Sequence, residues 1–189
     1  MARTTVDQTK RVYLNLVGGK FAEQVAKGTP TAVERVNKNE KTVYEILCDR
    51  TSGHIKEMKI EKTDYGKSLI ILMDDIGESY NISLPVESKF FDSFCAKIGN
   101  ANLSEMVELR PYSFQDKDGK KIMGMNIFQN DKKLDYYFSK EDSKGKPFNP
   151  EGVRLDEEDY KVFKINERKF YCEFIGALKL NTQSPSQSS

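Results

Sequence analysis

The stretch Tyr80–Phe114, YNISLPVESKFFDSFCAKIGNANLSEMVELRPYSF, decides the fold. It opens with Tyr80 to Leu84, which reads as a strand. Ser88 then offers an N-cap. Phe91, Phe94, Cys95 and Ile98 recur at i, i+3, i+4 and i+7, and Gly99 supplies a stop. That spacing predicts a helix over 88–98. Beyond it Val107, Leu109 and Pro111 share one parity, while Glu108, Arg110, Tyr112 and Phe114 share the other. A period of two is that of a strand with one buried and one outward face. One helix therefore stands between two strands.

Working outward, residues 53–62 and 67–73 read as strands leading into 79–84, and a strand at 121–129 follows 104–114. Ile55 is odd-numbered, but Met58 and Ile60 are even, which predicts a β-bulge near Glu57. Three strands, a helix and two strands is the order of a five-stranded OB barrel, whose helix joins strands three and four. The predicted fold class is thus mainly β. It comprises an OB-fold barrel with flanking additional strands, one helix between strands three and four, and a C-terminal helical arm. The flanking strands fall at 12–25, around the turn at Gly18-Gly19, at 42–48 and at 133–138; residues 31–40 read as a loop. A β-sandwich with an embedded helix is the competing architecture.

The chain is expected to divide into a flexible N-terminus at 1–11, an OB-fold-like domain at 12–142 and a linker at 143–156 rich in Gly and Pro. A helix at 157–180 and a disordered polar tail at 181–189 follow. Asp156 is placed to cap that helix, and Glu157, Glu158 and Asp159 suit its positive end. Tyr160, Phe163, Glu167, Phe170, Phe174 and Ile175 keep mostly to one face, so the arm must dock on the barrel or on a second subunit.

Composition excludes several classes. Of the 189 residues, 31% are charged and 38% hydrophobic, as in folded soluble proteins. The longest apolar run, Leu69 to Met73, is too short to cross a bilayer, and the start lacks an apolar signal core, so a cytosolic, membrane-free setting is expected. Net charge is +1, from 30 basic and 29 acidic residues, which argues against duplex binding by bulk charge. Residues 1–73 nevertheless hold 13 Lys and Arg against 9 Asp and Glu, so a local basic face is compatible with the whole. Cys48, Cys95 and Cys172 are sparse and odd in number, as expected in a reducing compartment. With His54 the only histidine, zinc lacks its usual ligands, and no metal or other cofactor is expected.

The functional signal is the coincidence of rings and cations. Unpaired bases need flat apolar partners, and their phosphates need positive charge. Tyr65, Tyr112, Phe114, Tyr136 and Tyr137 are the candidate stacking residues. Lys20, Lys67, Arg110, Lys120, Lys121, Lys132 and Lys133 are the candidate backbone contacts. Each has a plainer explanation as well: lysines in hairpin turns are commonly just solvated, and Tyr112 and Phe114 could pack beneath the arm. Machinery for catalysis is not recognisable. Asp74-Asp75 suits a turn, His54 has no triad context, and Gly18-Gly19-Lys20 lacks the P-loop frame, so no enzyme is expected.

Several short motifs together resemble a family of small proteins from tailed phages of Bacteroidetes, including crAss-like phages. They are Val17-Gly18-Gly19-Lys20-Phe21, Gly28-Thr29-Pro30, Asp64-Tyr65-Gly66-Lys67, Leu109-Arg110-Pro111-Tyr112-Ser113-Phe114, Asp118-Gly119-Lys120-Lys121 and Tyr137-Phe138. The resemblance spans about residues 12 to 150. It implies an OB-fold single-stranded-DNA-binding protein that coats unwound DNA during phage replication and recombination, without sequence preference, in the cytoplasm of the host bacterium. The partners it implies are single-stranded DNA, with RNA as an alternative, further copies of the chain in a homo-oligomer or cooperative array, and phage replication proteins. One departure stands out. Many single-strand binders recruit partners through an acidic tail ending in an aromatic, whereas this chain ends neutral and without one, its acids lying at 151–159. Self-contact through the arm is the substitute expectation. The rival readings are a structural or assembly adaptor for phage particles and a metal-dependent nuclease.

Overall fold

Alternation between buried and outward side chains builds most of the molecule. The structure, a computed structural model, describes residues 10–64, 66–148 and 155–178. Its strands are β1 (Lys10–Val17), β2 (Lys20–Val25), β3 (Val33–Val36), β4 (Thr42–Cys48), β5 (Thr51–Thr63), β6 (Gly66–Asp75), β7 (Glu78–Pro85), β8 (Val107–Gln115), β9 (Lys121–Gln129) and β10 (Lys132–Lys133). Helix α1 (Lys89–Ile98) lies between β7 and β8, and α2 (Glu157–Ala177) closes the described chain. The fold is mainly β; among the described residues it is one open mixed sheet of ten strands with two helices.

The strand order is β10-β9-β8-β5-β6-β7-β1-β2-β4-β3. β5 is the pivot: Thr51–Gly53 pair with β8 and His54–Thr63 with β6. Ser52 and Gly53 form the bend where β5 changes partner. A Cβ on Gly53 would lie 2.7 Å from the Asp74 carbonyl oxygen, so only glycine lets the strands cross this closely. The expected bulge is present as a register shift between Ile55 and Glu57. The sequence order places β6, β5, β8 and β9 as expected for an OB barrel. The second neighbour of β7, however, is β1, in parallel, and no β7–β9 ladder closes a barrel among the described residues.

Leu69, Ile71 and Met73 of β6, Ile82 and Leu84 of β7, and Leu109, Met125 and Ile127 of β8 and β9 are buried around Phe91, Phe94 and Ile98 of α1. Ser88 caps α1 as expected, its side chain accepting from the Phe91 amide. Gly99 ends α1 as its C-cap, as expected, in a right-handed conformation (φ −63°). It is glycine because the Tyr137 ring lies on it; a Cβ would be 2.4 Å from the ring's Cγ.

Three further expectations need correction. Residues 31–40 contain β3, held to β4 where the Arg35 guanidinium donates to both Glu45 carboxylate oxygens, at 2.7 and 2.8 Å. The strand at 133–138 reduces to β10: after Leu134 the amides of Tyr137 and Phe138 turn to the Ala96 carbonyl of α1. The arm helix ends at Ala177, with Leu178 as its C-cap, and residues 179 and 180 lie outside the described residues, as do 1–9, 149–154 and 181–189. Asp156 caps α2, accepting from the Asp159 amide at 2.8 Å. The arm docks on its own chain, across β5 and α1, burying Tyr171 and Ile175. Tyr171 meets Phe91 edge-on, with ring centres 6.2 Å apart. No described helix is long and apolar enough to cross a membrane.

Candidate functional site

The β8–β9 hairpin presents the aromatic face. Arg110 opposes Asn126, Tyr112 opposes Gly124 and Phe114 opposes Ile122. Directly opposed residues point to one side of a sheet, so these six form a row, back to back with buried Leu109, Met125 and Ile127. Tyr112 lies across Gly124, where a Cβ would be 2.4 Å from its hydroxyl oxygen. Its ring centre is 6.0 Å from that of Phe114, with the planes tilted by 30°. Tyr136 reaches the same place from the segment after β10. With Lys97, Lys133, Asn126 and Leu134, these three rings wall an open pocket of about 430 Å³.

Lys97 was not among the expected residues. It sits in the last turn of α1 and is 3% exposed. Its ammonium donates to the Met125 carbonyl at 2.7 Å, and to Ser93 Oγ and Asn126 Oδ1 at 3.2 Å each. Nζ lies 5.1 Å from the Tyr136 ring centre and 6.0 Å from that of Tyr112. It makes no ion pair among the described residues, and Lys133 adds a like charge. Burial, and then that neighbour, lower its pKa to about 8. Burial, and secondarily Tyr112, push the Tyr136 hydroxyl up.

A second cavity, about 650 Å³, runs between α1 and α2 and shares the Tyr112 and Tyr136 walls. Here Asp92 of α1 meets Lys164 at 2.9 Å and Arg168 at 3.5 Å, while buried Glu167 takes Lys146 at 2.9 Å and also Lys164. Burial alone would lower the Lys164 pKa, but its bonds to Glu167 and Asp92 outweigh that and leave it raised. The two cavities together are lined by seven basic and three acidic side chains. In a chain of 30 basic and 29 acidic residues, that is a local concentration of positive charge.

Of the predicted site residues, Tyr112, Phe114, Lys133 and Tyr136 meet at the smaller pocket. Arg110 follows on the same face, its guanidinium 4.1 Å from the Phe128 ring centre and paired with Glu108. Lys120 and Lys121 are exposed at the hairpin tip beyond Phe114, and Lys132 is exposed beside Lys133. Lys20 follows a turn whose Gly19 packs against Ser113 of β8, but its ammonium is paired with Asp49 at 2.9 Å. Lys67 is elsewhere, in a cavity with Glu87, Arg168 and Cys172. Tyr137 is a packing residue, which corrects its assignment to base stacking. Phe174 stacks on its ring at 5.7 Å, Lys144 Nζ lies 3.4 Å from its centre, and Gly99 is against its base. Tyr65 lies outside the described residues.

A signal for Lys97 existed. It stands seven residues after Phe90 and three after Phe94, both buried, so it falls on a helical apolar stripe. The α2 cations had no such signal, because the docking of α2 on α1 is a tertiary fact. Among the described residues no three His, Cys, Asp or Glu side chains gather where they could hold a metal ion. No family model, curated protein or solved structure matches the chain.

Proposed function

We propose that this protein binds single-stranded DNA without sequence preference and protects it during phage DNA replication and recombination in the host cytoplasm. The observation that carries this reading is the convergence of Tyr112, Phe114 and Tyr136 with Lys97 and Lys133 on one open pocket. Phe114 and Tyr136 are 55% and 59% exposed and share one pocket wall, a contiguous apolar surface of the kind that marks a binding site. Bases stacking there would have phosphates within reach of the pocket's lysines and of the cationic groove beside α2. RNA offers the same bases and phosphates and is the alternative ligand.

The finer architecture belongs to the same proposal. β5 to β9 with α1 form an OB-type unit in which β1 takes the place of the closing strand beside β7, leaving the β8–β9 face open to ligand. Tyr160, Val162 and Ile165, exposed on the first half of α2, support self-contact between bound copies.

A gel-shift titration with labelled oligo-dT and a matching duplex, with and without magnesium, tests the reading. Single-strand binding independent of magnesium is expected. Absence of any oligo-dT shift would support the assembly-adaptor alternative, and magnesium-dependent loss of the labelled strand would point to a nuclease.

A further inference from the structure

Lys97 is a buried cation whose hydrogen bonds are satisfied and whose charge is not. All three of its acceptors are neutral: a backbone carbonyl, a hydroxyl and an amide. Buried charges are ordinarily paired, because removal from water is costly without a counter-charge. The groups facing it make the shortage worse. Tyr112 from β8 and Tyr136 from the segment after β10 present ring faces, Ser93 and Asn126 carry no charge, and Lys133 of β10 adds a like charge. Asp135 is the one carboxylate among the pocket's described lining, and it forms no ion pair with either lysine among the described residues.

We propose that the pocket walled by Tyr112, Phe114 and Tyr136 is an anchoring subsite for one nucleotide of the bound strand, whose phosphate supplies the counter-charge that Lys97 and Lys133 lack. The inference rests on the single-strand reading and adds to it a defined place and a proton linkage. At about 430 Å³ the pocket is in the range of small-molecule sites, roughly 300–1,000 Å³. The rings hold the base from the side while the two ammonium groups attract its phosphate through a poorly solvated wall, where charges act more strongly than in water. A phosphate beside Lys97 favours its protonated form. Binding therefore takes up a proton wherever the free protein has begun to lose one, and affinity falls as pH rises through about 8, the value to which Lys97 is lowered.

The test uses the full chain and a rhodamine-labelled oligo-dT, followed by anisotropy from pH 7 to 9.5 at fixed ionic strength. The wild type should bind about tenfold more weakly at the upper end. Lys133→Gln removes the like charge, so the midpoint of the fall should move to higher pH. Lys97→Arg keeps its charge throughout and should flatten the profile, and Lys97→Met should flatten it at low affinity. Should Lys97→Met fail to fold by circular dichroism, the exposed Lys133→Gln still decides. A flat wild-type profile, or a slope unchanged in Lys97→Arg and Lys133→Gln, overturns the anchoring subsite and leaves single-strand binding standing. No binding at any pH overturns both.

Discussion

Tyr112 lies flat on the sheet because Gly124, directly opposite, has no side chain to lift it, and Phe114 and Tyr136 flank it. A ring held this way costs little entropy when a base stacks on it. Tyr112→Ala should therefore weaken oligo-dT binding by about 1–3 kcal/mol, read from titrations at fixed salt. Lys97 makes a separate prediction about stability. Its folded pKa is lowered from 10.5 to about 8, so between those values the folded protein binds fewer protons than the unfolded chain. Stability then rises with pH through that window, the cost of the buried charge being fully present below about pH 8. Urea titrations of the free protein should show the wild type gaining on Lys97→Met by on the order of 2 kcal/mol between pH 7 and 10. Equal pH dependence in the two proteins would contradict this. The outward parity of Arg110, Tyr112 and Phe114 was legible because alternation with Val107, Leu109 and Pro111 is a local pattern. Tyr137, next to Tyr136 in the chain, looked equally available, but a ring's neighbours across the fold leave no local trace.

At the scale of elements, α1 and the bulged β5 were legible, and the segment after β9 was not. Capping, helical spacing and the parity break at Glu57 are written in adjacent residues. The run Leu134 to Phe138 has the composition of a strand, yet the Ala96 carbonyl and the α2 rings outcompete a ladder for it. The junction at Gly99 is a sensitive point. Gly99→Ala places a methyl 2.4 Å from the base of the Tyr137 ring, which cannot swing clear because Phe174 stacks on it. Thermal or urea unfolding should show a loss of about 1–3 kcal/mol, the usual cost of overpacking. The arm belongs to the same core. Tyr171, 1% exposed and against Phe91 and Phe138, should cost about 3–5 kcal/mol when cut to Ala. A near-neutral Tyr171→Ala would mean that α2 is only loosely attached.

Across the whole molecule, a nearly neutral chain gathers positive charge on one side of β8, β9, α1 and α2. The sequence shows both the mainly β character and the aromatic-basic run, because periodicity and composition are local. It does not show that β1 takes the place beside β7, since strand partners far apart in the chain are chosen by the packed sheet. Nor does it reveal the α1–α2 groove, whose ion pairs join residues about seventy positions apart. If that groove and the pocket beside it carry the strand, affinity should fall steeply with added salt, each phosphate contact contributing a log–log slope of roughly −0.7. The most direct measurement is ultraviolet crosslinking of an iododeoxyuridine-substituted single strand to the full chain, with the modified residues identified by mass spectrometry. Crosslinks are expected at Tyr112, Phe114 and Tyr136. Crosslinks confined to other faces, such as β3 and β4, with those three rings untouched would contradict this.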